Sequence, residues 1–295
     1  MNYLTTPIIT GVLAQELHEK SAQGKPTARG TMLRYSSAFS CARQQGYAAL
    51  GADQTEPMDE AGAWVTGLGT IVHEAAQDAI SRRFPSAQFE LSSQNQEVSG
   101  SCDALISVDD LGSAYGGTHA LWELKTMGTF SFDMQVGWNR MRGTFKDGGP
   151  QGPAVKAIAQ AGMNALGIMR ENPEIDIQTI VMGSLSFEAL SKQKASNMGV
   201  EGLNRFVAEF EIPRSEWEPI AQVEINRMQS IYNLLYEAQL PERIALDDNG
   251  DVIRLNPETG RAWQCEYCPF KSTCLKDGDG IIDFDFSAGR KHHNG

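Results

Sequence analysis

Two neighbouring segments of the sequence place carboxylates and a lysine where they could act together. The first contains Asp103, and the second contains Glu123 and Lys125 with one residue between them. In a β-strand, side chains two residues apart lie on the same face, so Glu123 and Lys125 point the same way. If the two segments pair as a hairpin, Asp103 lies beside Glu123. Two carboxylates and an ammonium group then converge on one spot.

Two carboxylates beside a lysine suit the hydrolysis of a phosphodiester bond. Carboxylate oxygens hold Mg²⁺ or Mn²⁺, and the bound ion polarises the phosphate and lowers the pKa of an attacking water. A nearby lysine orients that water and offsets the charge that develops on the phosphate. The alternative is a solvated hairpin that carries Asp, Glu and Lys by chance, because E-x-K triplets are common in strands.

Four of the five cysteines form a second pattern. Cys265, Cys268 and Cys274 have the spacing C-x2-C-x5-C, and Cys41 is the candidate for a fourth ligand. One cysteine plus three favours an iron–sulfur cluster over zinc, whose ligands usually come as two short pairs. Zinc remains the alternative, since four thiolates suit it equally well. A centre that joins Cys41 to the distant three would clasp the two ends of the chain, and its loss would loosen the fold.

Composition and charge restrict the class of protein. The 295 residues are 41% hydrophobic, and no stretch is long and apolar enough to cross a bilayer. Since the chain starts without a secretory signal, an intracellular, cytoplasmic protein is expected, with cysteines as metal ligands or free thiols. Cys102 is expected to be a small buried residue. The net charge of −12 argues against a protein that coats nucleic acid, but DNA contact needs only a local basic strip.

The elements that must position these residues follow from the periodicity of the apolar side chains. Helices are predicted over residues 11–20, 36–50, 64–84, 153–169 and 213–239, and strands over residues 89–91, 98–108, 120–126 and 177–187. This order predicts an α/β or α+β core in which helices flank a mixed central sheet.

A glycine-rich segment, residues 127–152, mixes aromatic and cationic side chains. They are Phe130, Phe132, Trp138, Phe145, Arg140, Arg142 and Lys146. Aromatic faces stack on unpaired bases while cations follow the backbone, so the hypothesis is a segment that guides single-stranded DNA. The alternative is an ordinary loop over one edge of the sheet. Weaker candidates for DNA contact are Arg82, Arg83, Lys192 and Lys194.

The order of the motifs along the chain resembles a known family. Gly69-Thr70-Ile71-Val72-His73-Glu74 precedes Gly100-Ser101-Cys102-Asp103 and the E-x-K triplet, and Lys156-Ala157-Ile158-Ala159-Gln160 follows. This arrangement resembles the RecB-like nuclease branch of the PD-(D/E)xK superfamily. The chain departs from that pattern at Asn164, where an aromatic residue is usual. Taken alone, a histidine such as His73 on a helix is more often an ordinary core or surface residue.

The cysteine arrangement resembles the iron–sulfur nucleases, namely the AddB nuclease domain and the CRISPR-associated Cas-four-type exonucleases. The resemblance extends from about Ser36 to Cys274, with Ala42 where a proline often follows the first cysteine. It implies a PD-(D/E)xK, restriction-endonuclease-like core and a [4Fe-4S] cluster on the four outer cysteines. The division expected from it is an N-terminal extension over 1–30, one nuclease domain over 31–276 and a tail over 277–295.

The resemblance also implies a role for each residue of the site. Asp103 and Glu123 would hold Mg²⁺ or Mn²⁺, with His73 and the Leu124 carbonyl as further ligands. Lys125 would position or activate the attacking water. These assignments make three segments of the chain meet at one metal ion.

The activity that the resemblance implies is that of a DNA exonuclease with a preference for single strands. Such enzymes act in DNA end processing, repair, recombination or CRISPR adaptation, with protein partners, and a bacteriophage could also encode one. Gln160 would orient Lys125 or the substrate. Two alternatives stay open: an endonuclease on the same fold, and an inactive module that binds DNA or docks a partner around a metal staple. The complete set of Asp103, Glu123 and Lys125 argues against the inactive module.

Overall fold

The computed structural model of the chain describes residues 33–56, 60–111, 115–139, 144–145, 152–186, 207–253 and 262–277. The expected N-terminal extension, the predicted helix at 11–20 and nearly all of the tail lie outside these residues. The same holds for Arg140, Arg142, Lys146, Lys192 and Lys194. Within the described ranges, no helix is both long and apolar enough to cross a membrane.

A six-stranded sheet forms the centre of the described structure. Its strands are β1 (Leu33–Arg34), β2 (Gln88–Asn95), β3 (Val98–Ser107), β4 (His119–Met127), β7 (Ile177–Ser186) and β8 (Val207–Pro213), while β5 (Trp138–Asn139) and β6 (Thr144–Phe145) form a separate hairpin. The helices are α1 (Ala42–Ala49), α2 (Glu60–Arg83), α3 (Val108–Leu111), α4 (Thr129–Val136), α5 (Val155–Glu171), α6 (Arg214–Tyr236) and α7 (Lys271–Asp277). Short 3₁₀ turns cover Tyr35–Ser37 and Trp263–Tyr267.

The strands pair in the order β1-β3-β4-β7-β8, and β2 pairs with β3. The pairs β2–β3, β3–β4 and β7–β8 are antiparallel, whereas β1–β3 and β4–β7 are parallel. The connection from β4 to β7 contains α5, as parallel neighbours require a crossover. This confirms the predicted mixed sheet flanked by helices. The strands that carry Asp103 and Glu123 are paired, which meets the condition on which their proximity depended.

Two clusters of buried side chains hold the helices in place. One cluster, which includes Leu121, Ile158 and Trp217, joins the sheet to α5 and α6. The other, which includes Tyr35 and Met228, joins β1, α1, α5 and α6. Each fully buried large apolar side chain contributes about 1.5–3 kcal/mol to stability. Because α5 belongs to both clusters, it is fixed firmly beside the strands that carry the candidate site.

The predicted helix at 36–50 is wrong in its first half. A 3₁₀ turn covers Tyr35–Ser37, and α1 begins only after Cys41. Between them, Phe39 has a φ of 58°, a left-handed conformation incompatible with a continuing helix. Its N–H donates to the buried Glu224 Oε1 at 2.9 Å, across 185 residues of sequence. This tertiary contact overrides the local helix preference and leaves Cys41 as the N-cap residue of α1.

Candidate active site and cysteine pocket

The opening between β3 and β4 is where the candidate site begins. Their backbone pairing runs from Ser107 opposite His119 to Ala104 opposite Trp122, and it stops there although both strands continue. The next residue of β3, Asp103, uses its side chain instead: its Oδ2 accepts a hydrogen bond from the Leu124 N–H at 2.6 Å. The carboxylate is thereby fixed at the end of the paired part of the hairpin.

Glu123, Lys125 and Gln160 form a closed triangle of hydrogen bonds. The Lys125 Nζ donates to Glu123 Oε1 at 2.7 Å and to Gln160 Oε1 at 3.1 Å. The Gln160 Nε2 donates to Glu123 Oε1 at 2.9 Å. The first two residues come from β4, and the third comes from α5. The structure therefore brings together the E-x-K pair and the glutamine that the sequence singled out.

The second oxygen of Glu123 has no such partner. The side chain is 2% exposed, and Oε2 is buried without a hydrogen bond among the described residues. Burial raises the pKa of Glu123, and the charge of Lys125 opposes that rise. An ionised carboxylate oxygen that is buried and unpaired is costly, so a cation beside it would be strongly favoured. This oxygen fits the Mg²⁺ or Mn²⁺ that the sequence motifs imply.

His73 approaches the same carboxylates from α2. Its Nδ1 lies 3.4 Å from Asp103 Oδ1, and this contact is the main reason why the pKa of His73 is raised. Gln77, one helical turn later, donates from Nε2 to Glu90 Oε1 at 2.9 Å and lies 3.4 Å from the Asp103 carbonyl oxygen. Two side chains one turn apart therefore hold α2 against β3 at Asp103.

Glu90 is a residue of the site that the sequence analysis missed. The β2–β3 register places it opposite Asp103, between Phe89 opposite Ala104 and Leu91 opposite Cys102. Its φ of 51° is left-handed, which costs a residue other than glycine about 1–3 kcal/mol. Its carboxylate accepts hydrogen bonds from Gln77 and, at 3.1 Å, from Ser101 Oγ. The i,i+4 spacing after His73 could have revealed Gln77, but no sequence signal reveals the conformation of Glu90.

Two further positions explain the motif around Asp103. A Cβ on Gly100 would lie 2.4 Å from Tyr35 Cδ2, so a fully buried tyrosine ring occupies the space of any larger side chain. Asn164 is fully buried and donates from Nδ2 to the Ser101 carbonyl at 3.0 Å. Asn164, where the sequence analysis noted a missing aromatic residue, thus joins α5 to β3 by a hydrogen bond two residues before Asp103.

The predicted ligands are close together but do not stand as a complete metal site. No group of three or more His, Cys, Asp or Glu side chains in the described residues is arranged as a metal site. Asp103 Oδ2 is occupied by the Leu124 N–H, and Glu123 Oε1 by Lys125 and Gln160. Side-chain rotations would therefore accompany metal binding. The Leu124 side chain is buried, and it is the amide of this residue that contacts Asp103.

The four outer cysteines line one cavity that is partly open to solvent. Cys41 is the N-cap residue of α1, Cys265 lies in the 3₁₀ turn Trp263–Tyr267, and Cys274 lies on α7. All four thiols are free, and the cavity is also lined by Arg43, Gln44, Tyr47, Arg243, Ala245, Gln264, Lys271 and Leu275. The fifth cysteine, Cys102, is fully buried in the core and lies outside this cavity, as predicted.

Burial disfavours the ionised form of two thiols in this cavity, Cys41 and Cys268. It raises the pKa of Cys41, although the Gln44 and Arg43 amides oppose this, and it raises the pKa of Cys268 to about 11. The neighbouring cysteines raise both values further. A bound metal would offset this repulsion and release the protons, since thiolate is the ligand form. The donor set fits a cluster or a zinc ion.

The structure corrects part of the proposed path for DNA. Phe132 is fully buried in α4, so it cannot stack on a base, whereas Phe130 is 79% exposed. The backbones of Trp138 and Phe145 pair with each other in the hairpin β5–β6. Among the weaker candidates, Arg82 forms an ion pair with Asp78 within α2. Arg83 lies over the Phe84 ring, 5.7 Å from its centroid.

Comparison with known proteins adds little to this geometry. No family model matches the chain, and no curated protein matches it. A solved structure described as "Crystal structure of SSO0001" is similar over 91% of this chain and 96% of that chain, with 14% sequence identity and a TM-score of 0.48. A likeness at this level carries no argument about activity, so the assignment of function depends on the site itself.

Proposed function

We propose that this protein is a Mg²⁺- or Mn²⁺-dependent deoxyribonuclease with a PD-(D/E)xK fold of the RecB-like branch. The observation that supports it best is the buried, unpaired Oε2 of Glu123, in a residue whose other oxygen holds Lys125 and Gln160. An unpaired carboxylate oxygen in a residue whose charge interacts with Asp103 and His73 suits a bound cation. The mode of cleavage proposed is exonucleolytic, with a preference for single strands.

In this proposal the chain supplies ligands, a positioned ammonium and a rigid frame. Asp103, Glu123 and His73 would hold the metal ion, with the Leu124 carbonyl as an additional ligand. When bound, the ion would polarise the phosphate and lower the pKa of a water. Lys125, held between two acceptor oxygens, would donate to that water or to the phosphate. The hydrogen bond from Gln160 to Glu123 keeps α5 in contact with both residues of the E-x-K pair.

The cysteine pocket is proposed to hold a [4Fe-4S] cluster, with zinc as the alternative. The four half-buried thiols around one cavity support it. In the cell such an enzyme would trim DNA ends in the cytoplasm during repair, recombination or CRISPR adaptation, together with a protein partner. The metal content of anaerobically purified protein, measured as iron, sulfide and zinc per chain, distinguishes the two occupants.

The first experiment is cleavage of end-labelled single-stranded DNA with Mn²⁺ by anaerobically purified protein. The Lys125→Ala variant tests the site. Lys276→Ala is the matched control, because Lys276 is an exposed lysine of α7, outside the triangle of hydrogen bonds. Degradation by the native protein and the control, but not by Lys125→Ala, is the expected result. DNA binding without cleavage by the native protein would support the inactive module instead.

A circular single-stranded substrate separates the two modes of cleavage. An exonuclease needs an end and leaves the circle intact, while an endonuclease linearises it. Equal rates on linear and circular DNA would replace the exonuclease assignment by the endonuclease alternative, with the same residues at the site.

A further inference from the structure

Among the residues that the structure describes, Lys156 is a cation without a counter-charge, in an acidic protein. The net charge of the chain is −12. Several cations of its described part form ion pairs with carboxylates. Lys125 pairs with Glu123, for example, and Arg227 with Glu224. The Lys156 side chain is half-buried, yet among the described residues it makes neither a hydrogen bond nor an ion pair. A partly desolvated ammonium group of this kind favours an anionic ligand.

The position of Lys156 connects it to the candidate active site. It lies in the first turn of α5, four residues before Gln160, and residues four apart lie on the same side of a helix. Its neighbours Val155 and Ala157 pack against the two different core clusters, which leaves Lys156 and Gln160 on the strip of helix between them. The Lys156 N–H donates to the Asp248 carbonyl at 3.0 Å, which anchors the start of α5.

Lys156, Gln160 and Asn164 together form a polar strip along α5. Asn164 contacts the carbonyl of Ser101 in β3, and Gln160 contacts the E-x-K pair in β4. Lys156 follows one turn beyond Gln160, at the N-terminal end of the helix, where the helix dipole also favours negative charge. The strip thus leads from the reacting carboxylates to an unpaired cation.

We infer that Lys156 binds a phosphate of the nucleic-acid strand next to the phosphate that is cleaved. This inference rests on the proposed nuclease function and names a substrate contact for it. The ammonium contacts the sugar–phosphate backbone and no base, so it contributes to affinity equally for every sequence. It holds the strand in register while Lys125 acts at the adjacent phosphate.

A phosphate contact has a signature in the salt dependence of binding. Each phosphate neutralised on a single strand contributes about −0.7 to the slope of log K against log[salt]. Loss of the Lys156 charge should therefore make that slope shallower by about 0.7. It should raise KM several-fold with little change in kcat, because the contact is present before and during the reaction.

The test uses the full chain and a fluorescent oligo(dT) strand, with Ca²⁺ in place of Mn²⁺ so that binding is measured without turnover. Lys156→Met removes the charge but keeps the apolar stem, Lys156→Arg restores a cation, and Lys276→Ala serves as the control. The expected result is a shallower slope for Lys156→Met alone, with the slope recovered in Lys156→Arg. Thermal unfolding and the metal content of each variant establish that the fold is retained.

The outcomes separate this inference from the function on which it rests. If the native protein binds and cleaves DNA and Lys156→Met has the native slope, the phosphate contact is refuted while the nuclease proposal stands. If the native protein neither binds nor cleaves DNA, both are refuted. A slope that changes equally in Lys276→Ala would mean a general charge effect and would also overturn the inference.

Discussion

The candidate active site and the cysteine pocket are built in opposite ways. In the active site, Asp103 and Leu124 are 21 residues apart in sequence, Glu123 and Gln160 are 37 apart, and each pair is joined by a hydrogen bond. In the pocket region, the hydrogen bond from Tyr47 to Asp277 spans 230 residues. The first site is assembled from elements that are close in sequence, namely α2, β2, β3, β4 and α5. The second exists only if the two distant parts of the chain are brought together.

The difference also concerns what each site lacks without its metal. The carboxylates of the active site accept hydrogen bonds from Lys125, Gln160 and the Leu124 amide, so they keep protein partners in the absence of an ion. In the pocket, burial and the neighbouring thiols raise the pKa of Cys41 and Cys268, and backbone hydrogen bonds oppose this rise. Metal is therefore expected to matter for catalysis at one site and for structure at the other.

The largest effect should come from emptying the pocket. Cys268→Ser is expected to lower the free energy of unfolding by several kcal/mol, since structural metals contribute as much as about 10 kcal/mol. Cys102→Ala, which removes a buried thiol outside the pocket, is the matched control and should keep the full metal content. Denaturant unfolding with metal analysis measures both. If Cys268→Ser is as stable as the native protein, the pocket does not stabilise the fold through a metal, and the two sites do not differ in this respect.

Removal of Lys125 should affect the reaction and spare the fold. Lys125→Ala is expected to lower kcat by roughly 10²–10³, the usual cost of one preorganised donor at developing charge. Glu123 can then take up a proton and keep its hydrogen bond from Gln160, so that the melting temperature changes little. Single-turnover cleavage and thermal unfolding test this. A variant with a clearly lower melting temperature but the native kcat would make Lys125 a structural residue.

Gly100→Ala should damage stability and activity together. The added methyl would lie 2.4 Å from the Tyr35 ring, and overpacking of this kind costs about 1–3 kcal/mol. Any shift of β3 would also move Asp103. Gly128→Ala is the control, because a Cβ there meets no atom within 4 Å. Unfolding and cleavage of both variants should differ clearly; identical behaviour would remove the packing explanation for this glycine.

A smaller effect is expected at Glu90. Glu90→Gln keeps the size of the side chain but loses the charge that accepts from Gln77 and Ser101, a loss of about 1 kcal/mol. Activity should fall several-fold, because α2 then holds His73 less firmly beside Asp103. Restoration of activity by raised Mn²⁺ would identify weakened metal binding as the cause. If the activity of Glu90→Gln depends on the Mn²⁺ concentration as the native activity does, Glu90 has no role in metal binding.

The smallest effect should be a pH dependence at the edge of the pocket. Glu56 accepts hydrogen bonds from the hydroxyl and the amide of Ser272, which lower its pKa. A lowered pKa stabilises the folded state above the ordinary pKa, and this contribution is lost as the pH falls through the lowered value. At neutral pH the Ser272 amide should therefore exchange its hydrogen faster in Glu56→Gln than in the native protein, and this difference should vanish as the pH falls through the lowered pKa. Equal protection in both proteins at neutral pH would dismiss the contact.

Much of the fold and site could be predicted because the signals are local. Apolar periodicity located α2, α5, α6 and the strands β3, β4 and β7, while β1 and β8 were not predicted. The E-x-K spacing placed two side chains on one face. β2 extends well past its predicted end at Leu91, because its polar residues up to Asn95 pair with β3. The pairing depends on the neighbouring strand, so it cannot be predicted from the residue types of the segment itself.

The features that could not be predicted depend on distant contacts. Phe39 leaves the helical conformation where Glu224 accepts its N–H, and Glu90 adopts a left-handed conformation where Gln77 and Ser101 hold its carboxylate. Phe132 lies in a glycine-rich segment with cations, which suggested an exposed aromatic residue, but it is buried in the fold. For Phe39 a partner 185 residues away outweighs the local preference, and for Glu90 the partners lie on the neighbouring helix and strand.

The long separation between Cys41 and the other three cysteines has a consequence for biosynthesis. A chain made from its N-terminus exposes the strands β2–β4 and helix α5 to folding well before Cys265 leaves the ribosome. During that interval Cys41 stands as a single thiol with no partners, open to oxidation or to a wrong metal. If the pocket holds the proposed metal centre, its metal would be inserted late, and the supply of metal in the cell would then decide how much of the newly made protein matures.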